Sequence, residues 1–263
     1  MTKTNPYGYL LAGVLSTIPL SCVSCTQLPE TKEPAPIERR LEKIVDYDNT
    51  PGLVISEDIK KIIDGAFKVN SHATVRNDLN NEEQAYLAIG TGFVVCNKDG
   101  KAYVMTCNHV IDASDLEVPG LFSLARMFYT VEIDDIPYVF EVVKQDEVND
   151  VAILRSIEDM DIQRTYEFAD NPLREGDAVY AIGYPHGHKM MSEGIITNAQ
   201  PDTFFYTNAD FNPGISGGPV YVFEKGTPRI AGMAKFTMLM LEGISGAVET
   251  KPMTDLLEDM LDD

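Results

Sequence analysis

The chain predicts an all-β body, and two observations carry that expectation. Short apolar runs recur at Phe93–Cys96, Ala102–Thr106, Tyr138–Val143, Val151–Leu154, Val179–Ile182 and Pro219–Phe223, separated by Gly, Asn, Asp and Pro. That is the pattern of strands broken by turns. Helical patterning is confined to Ser56–Phe67 and Lys251–Leu261. Ser56 with Glu57-Asp58 suits the start of the first helix. Asn97-Lys98-Asp99-Gly100 joins the first two runs as a hairpin, with Gly100 free to take positive φ.

The chain has 263 residues, enough for one domain of this kind with a leader and a linker besides. Its hydrophobic content of 44% is that of a globular protein. The formal charge of −20 excludes nucleic acid as a partner, because binding phosphates needs a basic surface. The same charge serves solubility. No internal repeat of solenoid length is visible.

The chemistry is concentrated in Asn212-Pro213-Gly214-Ile215-Ser216-Gly217-Gly218-Pro219-Val220. A serine set among glycines can have a tightly folded backbone and free N–H groups. Acyl transfer needs a reachable hydroxyl and donors aimed at the developing oxyanion. A serine hydroxyl also needs a base, and an imidazole suits that task. His109 follows the apolar run Tyr103–Thr106. Asp150 stands at the mouth of Val151–Leu154 and supplies the carboxylate that fixes the imidazole's tautomer. The chain order His109, Asp150, Ser216 separates this arrangement from two other orders known for the same triad.

Seven segments carry a family resemblance. They are Gly90–Val95, Thr106–Val110, Asn149–Leu154, Val179–Gly187, Ser192–Ile196, Asn208–Pro219 and Gly243–Val248. In this order they resemble the trypsin-fold serine proteases, and most of all the protease domain of the HtrA/Do (DegP-like) branch. The resemblance covers residues 55 to 260 and implies two six-stranded antiparallel β-barrels with short N- and C-terminal helices. It implies a serine endopeptidase with no cofactor and with protein or peptide substrates. His109, Asp150 and Ser216 would be catalytic, and the N–H groups of Gly214 and Ser216 would form the oxyanion hole. A role in envelope protein quality control is a further implication. Two features depart from the pattern. Ile215 stands where the branch usually has Asn and trypsins have Asp, so activation by pairing with a newly released N-terminus is not expected. A PDZ domain, usual in HtrA proteins, is not expected within this sequence.

Specificity rests on three residues. Asp210 lies six positions before Ser216, where trypsin-like enzymes place the acid that selects Arg or Lys. Lys235 and Phe236 fall on the segment expected to line the same pocket, where Lys235 either neutralises Asp210 or points away. A solvated loop residue is the plainer reading of Asp210.

Residues 1–21 read as a signal peptide: Lys3 precedes an apolar stretch through Leu20, too short for a comfortable membrane span. Leu20-Ser21-Cys22 resembles a bacterial lipobox, which makes Cys22 the expected lipidation site and Cys25 the second candidate. The implied location is the bacterial cell envelope, with a lipid anchor to a membrane. Residues 22–52, with Pro29–Pro36 poor in apolar side chains, read as a flexible tether, and 53–263 as the protease domain. Cys96 and Cys107 are expected to be free buried thiols, with Cys96 opposite about Lys101 and Cys107 too far along its strand to bridge it. No metal-ligand spacing occurs; His72 reads as a strand residue, and His186 and His188 as loop residues. An oligomer is compatible with the sequence. Two other readings stay open: a pseudoprotease that binds extended peptides without cutting them, and an enzyme held latent until a partner or substrate orders its loops.

Overall fold

The computed structural model describes residues 57–163, 165–200, 203–237 and 243–262. The expected signal peptide and tether, with Cys22 and Cys25, lie outside the described residues. Among the described residues no helix is long and apolar enough to cross a membrane.

Twelve strands form two closed antiparallel barrels. The first contains β1 (Ala66–Asn77), β2 (Glu83–Lys98), β3 (Lys101–Thr106), β4 (Phe122–Ile133), β5 (Ile136–Asp146) and β6 (Val151–Ser156), in the spatial order β1-β2-β3-β6-β5-β4. The second contains β7 (Ala178–Gly183), β8 (Met190–Gln200), β9 (Phe204–Thr207), β10 (Pro219–Glu224), β11 (Thr227–Thr237) and β12 (Ser245–Glu249), in the order β10-β11-β12-β9-β8-β7. Closure leaves neither sheet a full-length free edge. The all-β expectation and the paired six-stranded barrels both hold, and each of the six apolar runs falls within a strand.

The short strands β3, β6 and β10 are buried almost throughout. That explains why they read as continuous apolar runs rather than as alternating ones. Phe67, Phe93, Met105, Phe140, Ile153 and Leu154 fill the first barrel. Val179, Ile196, Phe205, Val220 and Ala247 fill the second. Residues on β7, β10, β11 and β12, among them Ile182, Tyr221, Ile230 and Met233, join the first barrel's core. The two barrels thus share apolar packing along their seam.

Among the described residues three α-helices accompany the barrels: α1 (Glu57–Asp64), α2 (Asn108–Ile111) and α3 (Thr250–Asp262). The first is shorter than the sequence suggests. Gly65 closes its last turn, its N–H donating to the Ile62 carbonyl at 3.1 Å, and Ala66 and Phe67 pass into β1. Burying the Phe67 ring in the barrel outweighs its helical spacing, because full burial of such a side chain contributes about 2–3 kcal/mol. The last helix lies where it is expected. It buries Met253, Leu256 and Met260, while Asp259 pairs with Lys144 of β5 at 2.8 Å. A helix that follows the second barrel is therefore fastened to the first.

The hairpin turn sits at Asp99 and Gly100, both at positive φ (54° and 74°), with Lys98 opposite Lys101. This corrects the cysteine register: Cys96 lies opposite Tyr103, not Lys101. With Asp99 and Gly100 both in the turn, pairing starts at Lys98 and Lys101, which carries the partner of Cys96 two positions further along β3 than expected. Cys96 and Cys107 are free thiols. Cys107 is fully buried and Cys96 only partly so.

Candidate active site

His109 is the second residue of α2, the short turn that ends β3. The strand delivers the chain to the seam, and the turn holds the imidazole there. Ser71 and Tyr129 donate hydroxyl hydrogen bonds to the Val110 and Ile111 carbonyls at 2.6 and 3.1 Å, which braces the turn from behind. The ring is about half exposed.

Asp150 ends the turn between β5 and β6. Asp146 organises that turn by accepting hydrogen bonds from the Val148 and Asn149 N–H groups (2.9 and 3.0 Å) and from the Asn149 amide (2.6 Å). Partial burial alone would raise the Asp146 carboxyl. The Asn149 and Val148 donors and the Lys235 charge outweigh it and hold the carboxyl below its ordinary range. Asp150 itself is buried and sits at φ 65°.

The Asp150 carboxylate grips His109 twice. Oδ1 accepts the His109 main-chain N–H at 2.8 Å, and Oδ2 lies 2.8 Å from Nδ1 of the ring. The Asp150 carbonyl also accepts the Asn108 N–H at 3.1 Å. An ionised carboxylate can only accept, so the ring must carry its proton on Nδ1, leaving Nε2 free as a base. Ring position and tautomer are thereby set by one residue.

Ser216 comes from the loop before β10, in the second barrel. Its hydroxyl donates to the Lys235 carbonyl at 3.3 Å rather than to His109. For His109 to take the proton, the O–H must turn from that carbonyl to the imidazole.

The loop's main chain is fixed peptide by peptide. The Pro213 carbonyl accepts the His186 N–H at 3.3 Å, and the Ile215 carbonyl accepts the Gly218 N–H at 2.8 Å. In a trans peptide the C=O and the following N–H point in opposite directions. The N–H groups of Gly214 and Ser216 therefore face away from those partners. The intervening Ile215 N–H is occupied by the Asn212 carbonyl at 3.0 Å. Gly214 has φ 105°, and a Cβ there would strike the Tyr184 carbonyl. Gly217 has φ 85°, and a Cβ there would strike the Thr91 carbonyl. Both positions need glycine for conformation and for space.

Thr91 of β2 ties this loop to the first barrel, which sequence reasoning missed. Its hydroxyl donates to the Gly214 carbonyl at 2.7 Å and accepts the Tyr184 N–H at 3.0 Å. Its main-chain N–H donates to the Ser216 carbonyl at 2.8 Å. A threonine in an apolar strand carries no local sign of such a role; only the cross-barrel packing discloses it. Ile215 is buried, packed in the second barrel's core, so apolar packing anchors the loop where an ion pair is absent.

The three specificity candidates separate. Asp210 is exposed, as a solvated loop residue would be. Lys235 does not neutralise it: its Nζ lies 3.6 Å from Asp150 Oδ2. Phe236 lays its ring over Gly246 of β12. Two unforeseen hydroxyls bind the segment after Asp210. Ser245 accepts the Phe211 N–H at 3.2 Å, and Thr237 donates to the Phe211 carbonyl.

Cys107, His109 and Asp150 bring three potential metal donors within 4.8 Å of one another, although no spacing in the sequence suggests it. Two of the three are engaged with each other as described. The Cys107 thiol donates to the Ala234 carbonyl at 3.3 Å; burial, and then the Asp150 charge, push it well above its ordinary value. A protonated thiol is a poor metal ligand.

Two closed six-stranded barrels with these residues at their seam define a double-barrel, trypsin-like fold. A family model described as the trypsin-like peptidase domain matches residues 90–228, and the chain belongs to that family. It is 27% identical over 208 residues to the serine protease Do-like HtrA of Bacillus subtilis, covering 73% of this chain and 43% of that protein. It is 34% identical over 142 residues to the serine protease Do-like HtrA of Lactobacillus helveticus (49% and 32% covered). It is 32% identical over 154 residues to a probable periplasmic DegP-like serine endoprotease of Pseudomonas savastanoi pv. phaseolicola (56% and 28%). The chain spans less than half the length of these relatives. Among solved structures, the serine endoprotease from Yersinia pestis superposes with a TM-score of 0.58 at 22% identity, covering 78% of this chain and 66% of that one. A protease from M. tuberculosis in its active form gives 0.59 at 21% identity (80% and 87%). These two likenesses concern the fold.

Proposed function

We propose that the protein is a serine endopeptidase that cleaves protein substrates through an acyl-enzyme. The observation that carries this reading is the double grip of Asp150 on His109, which leaves Nε2 available as a base, while Ser216, in a glycine-built loop, has its hydroxyl on the carbonyl of Lys235, whose ammonium reaches the same Asp150. His109 takes the Ser216 proton as the oxygen attacks a peptide carbonyl. Asp150 stabilises the resulting imidazolium. The Gly214 and Ser216 N–H groups receive the oxyanion; losing one such donor costs about 3 kcal/mol of transition-state stabilisation. His109 then protonates the leaving amine, and water resolves the acyl-enzyme.

The relatives named serine proteases support the reaction class. The one named periplasmic supports a place in the bacterial cell envelope, where clearing damaged proteins would be the role.

A fluorophosphonate probe tests the reading, because it reacts only with an activated serine. Labelling of the folded wild type that disappears in Ser216→Ala is the expected result, with turnover falling by about 10⁶-fold and the melting temperature nearly unchanged. A folded wild type that takes no label would point instead to a peptide-binding protein without turnover.

A further inference from the structure

Lys235 is the unpaired residue of a bulge in β11. Ala234 faces Ala247 and Phe236 faces Gly246, so Lys235 has no partner on β12. A bulge of this kind re-aims one side chain. Here it sends the ammonium behind the catalytic pair, 3.6 Å from Asp150 Oδ2, the oxygen that holds the His109 ring. The Lys235 side chain is about a quarter exposed and the Asp150 side chain about an eighth, so water screens the pair only in part. The residue's carbonyl meanwhile accepts the Ser216 hydroxyl. One bulged residue thus touches two members of the triad.

We infer that Lys235 is a positioning residue of the catalytic site: its ammonium pins the Asp150 carboxylate and opposes positive charge on His109, so that the base stays neutral to lower pH. This rests on the triad reading above.

The charges around it have opposing effects. Asp150 and Asp146, from the turn between β5 and β6, favour an imidazolium. Lys235, from β11, is the cation that counters them. Its charge reaches Asp146 as well as Asp150. Cys107, the fourth titratable group at this point, is neutral because it is buried. A unit charge at this depth, two short contacts from the ring, shifts a titration by about one pH unit. The sign follows from charge alone: removing a cation makes protonating the imidazole easier, so activity disappears at higher pH.

The test is the rate of fluorophosphonate labelling as a function of pH in the full chain, with Ser216→Ala as the blank. Lys235→Met keeps the length of the side chain and removes the charge. Its acid limb should move up by about one pH unit, and Lys235→Arg should restore the wild-type position. A purely structural role would lower the rate at every pH without moving the limb. Lys235→Gln carries the same test if the Met variant does not fold. Met or Gln variants that label along the wild-type pH curve overturn the inference and leave the endopeptidase reading intact. A folded wild type that takes no label overturns both.

Discussion

The site residues of the first barrel are held by side-chain bonds, and the Ser216 loop of the second is held by its main chain. His109 and Asp150 are fixed by carboxylate-to-imidazole and carboxylate-to-amide bonds of 2.8 Å. The Ser216 loop is fixed by carbonyls tied to neighbouring N–H groups and by glycines at φ angles that other residues resist. The difference shows which kinds of damage each half tolerates. A side-chain grip is lost by changing its atoms. A main-chain frame is lost by adding atoms almost anywhere in it.

Gly217→Ala should give the largest effect on that frame. The added methyl meets the Thr91 carbonyl and the Thr106 hydroxyl, at a φ alanine resists. Overpacking combined with backbone strain should cost about 3 kcal/mol or more of stability. A fall in melting temperature together with loss of labelling would show it; a stable, active variant would mean the frame can yield.

Thr91→Val probes the tie between the barrels. It leaves the partly buried Gly214 carbonyl and Tyr184 N–H without their hydroxyl partner, a loss of about 1–3 kcal/mol. Because the displaced peptide borders the proposed oxyanion site, kcat should fall by about tenfold to a hundredfold with little change in KM. Thr91→Ser should recover most of it. Equal losses in both variants would assign the residue to packing instead.

Asp146→Ala should give the smallest effect, and a pH-dependent one. The folded-state carboxyl is held below its unfolded value of about 3.9. Its contribution to stability is therefore present above that value and is lost as pH falls through the lower, folded one. The gap in melting temperature between wild type and variant should be open at neutral pH and narrow in acid. A gap independent of pH would place the effect in the turn's shape and not in its charge.

The sequence carried the fold well because both of its signals are local. Apolar runs of strand length and glycines around Ser216 each report on their own neighbourhood. His109 and Asp150 were legible for a similar reason, each standing at the end of an apolar strand. Thr91 was not, and Lys235 was legible as a site residue but not as a neighbour of Asp150. The first acts on a loop more than 120 positions away, and the second is aimed by a bulge whose position depends on pairing with β12. The extent of α1 was misjudged because its final residues satisfy a helical spacing and a barrel core alike. The roles of Ser245 and Thr237 depend on how three chain segments meet at Phe211, which no single stretch encodes.

Asp150 lies in the left-handed region of backbone space, at φ 65°. Asparagine and aspartate enter that region more readily than most residues with a side chain. One side chain thus answers two demands, the bend that opens β6 and the charge that faces His109. An alanine scan would confound them, since Ala at this position loses the carboxylate and resists the bend together. Asparagine retains the bend while removing the charge, and glycine retains it while removing the whole side chain. The three substitutions together read folding and chemistry as separate quantities at a position where either alone would account for the residue.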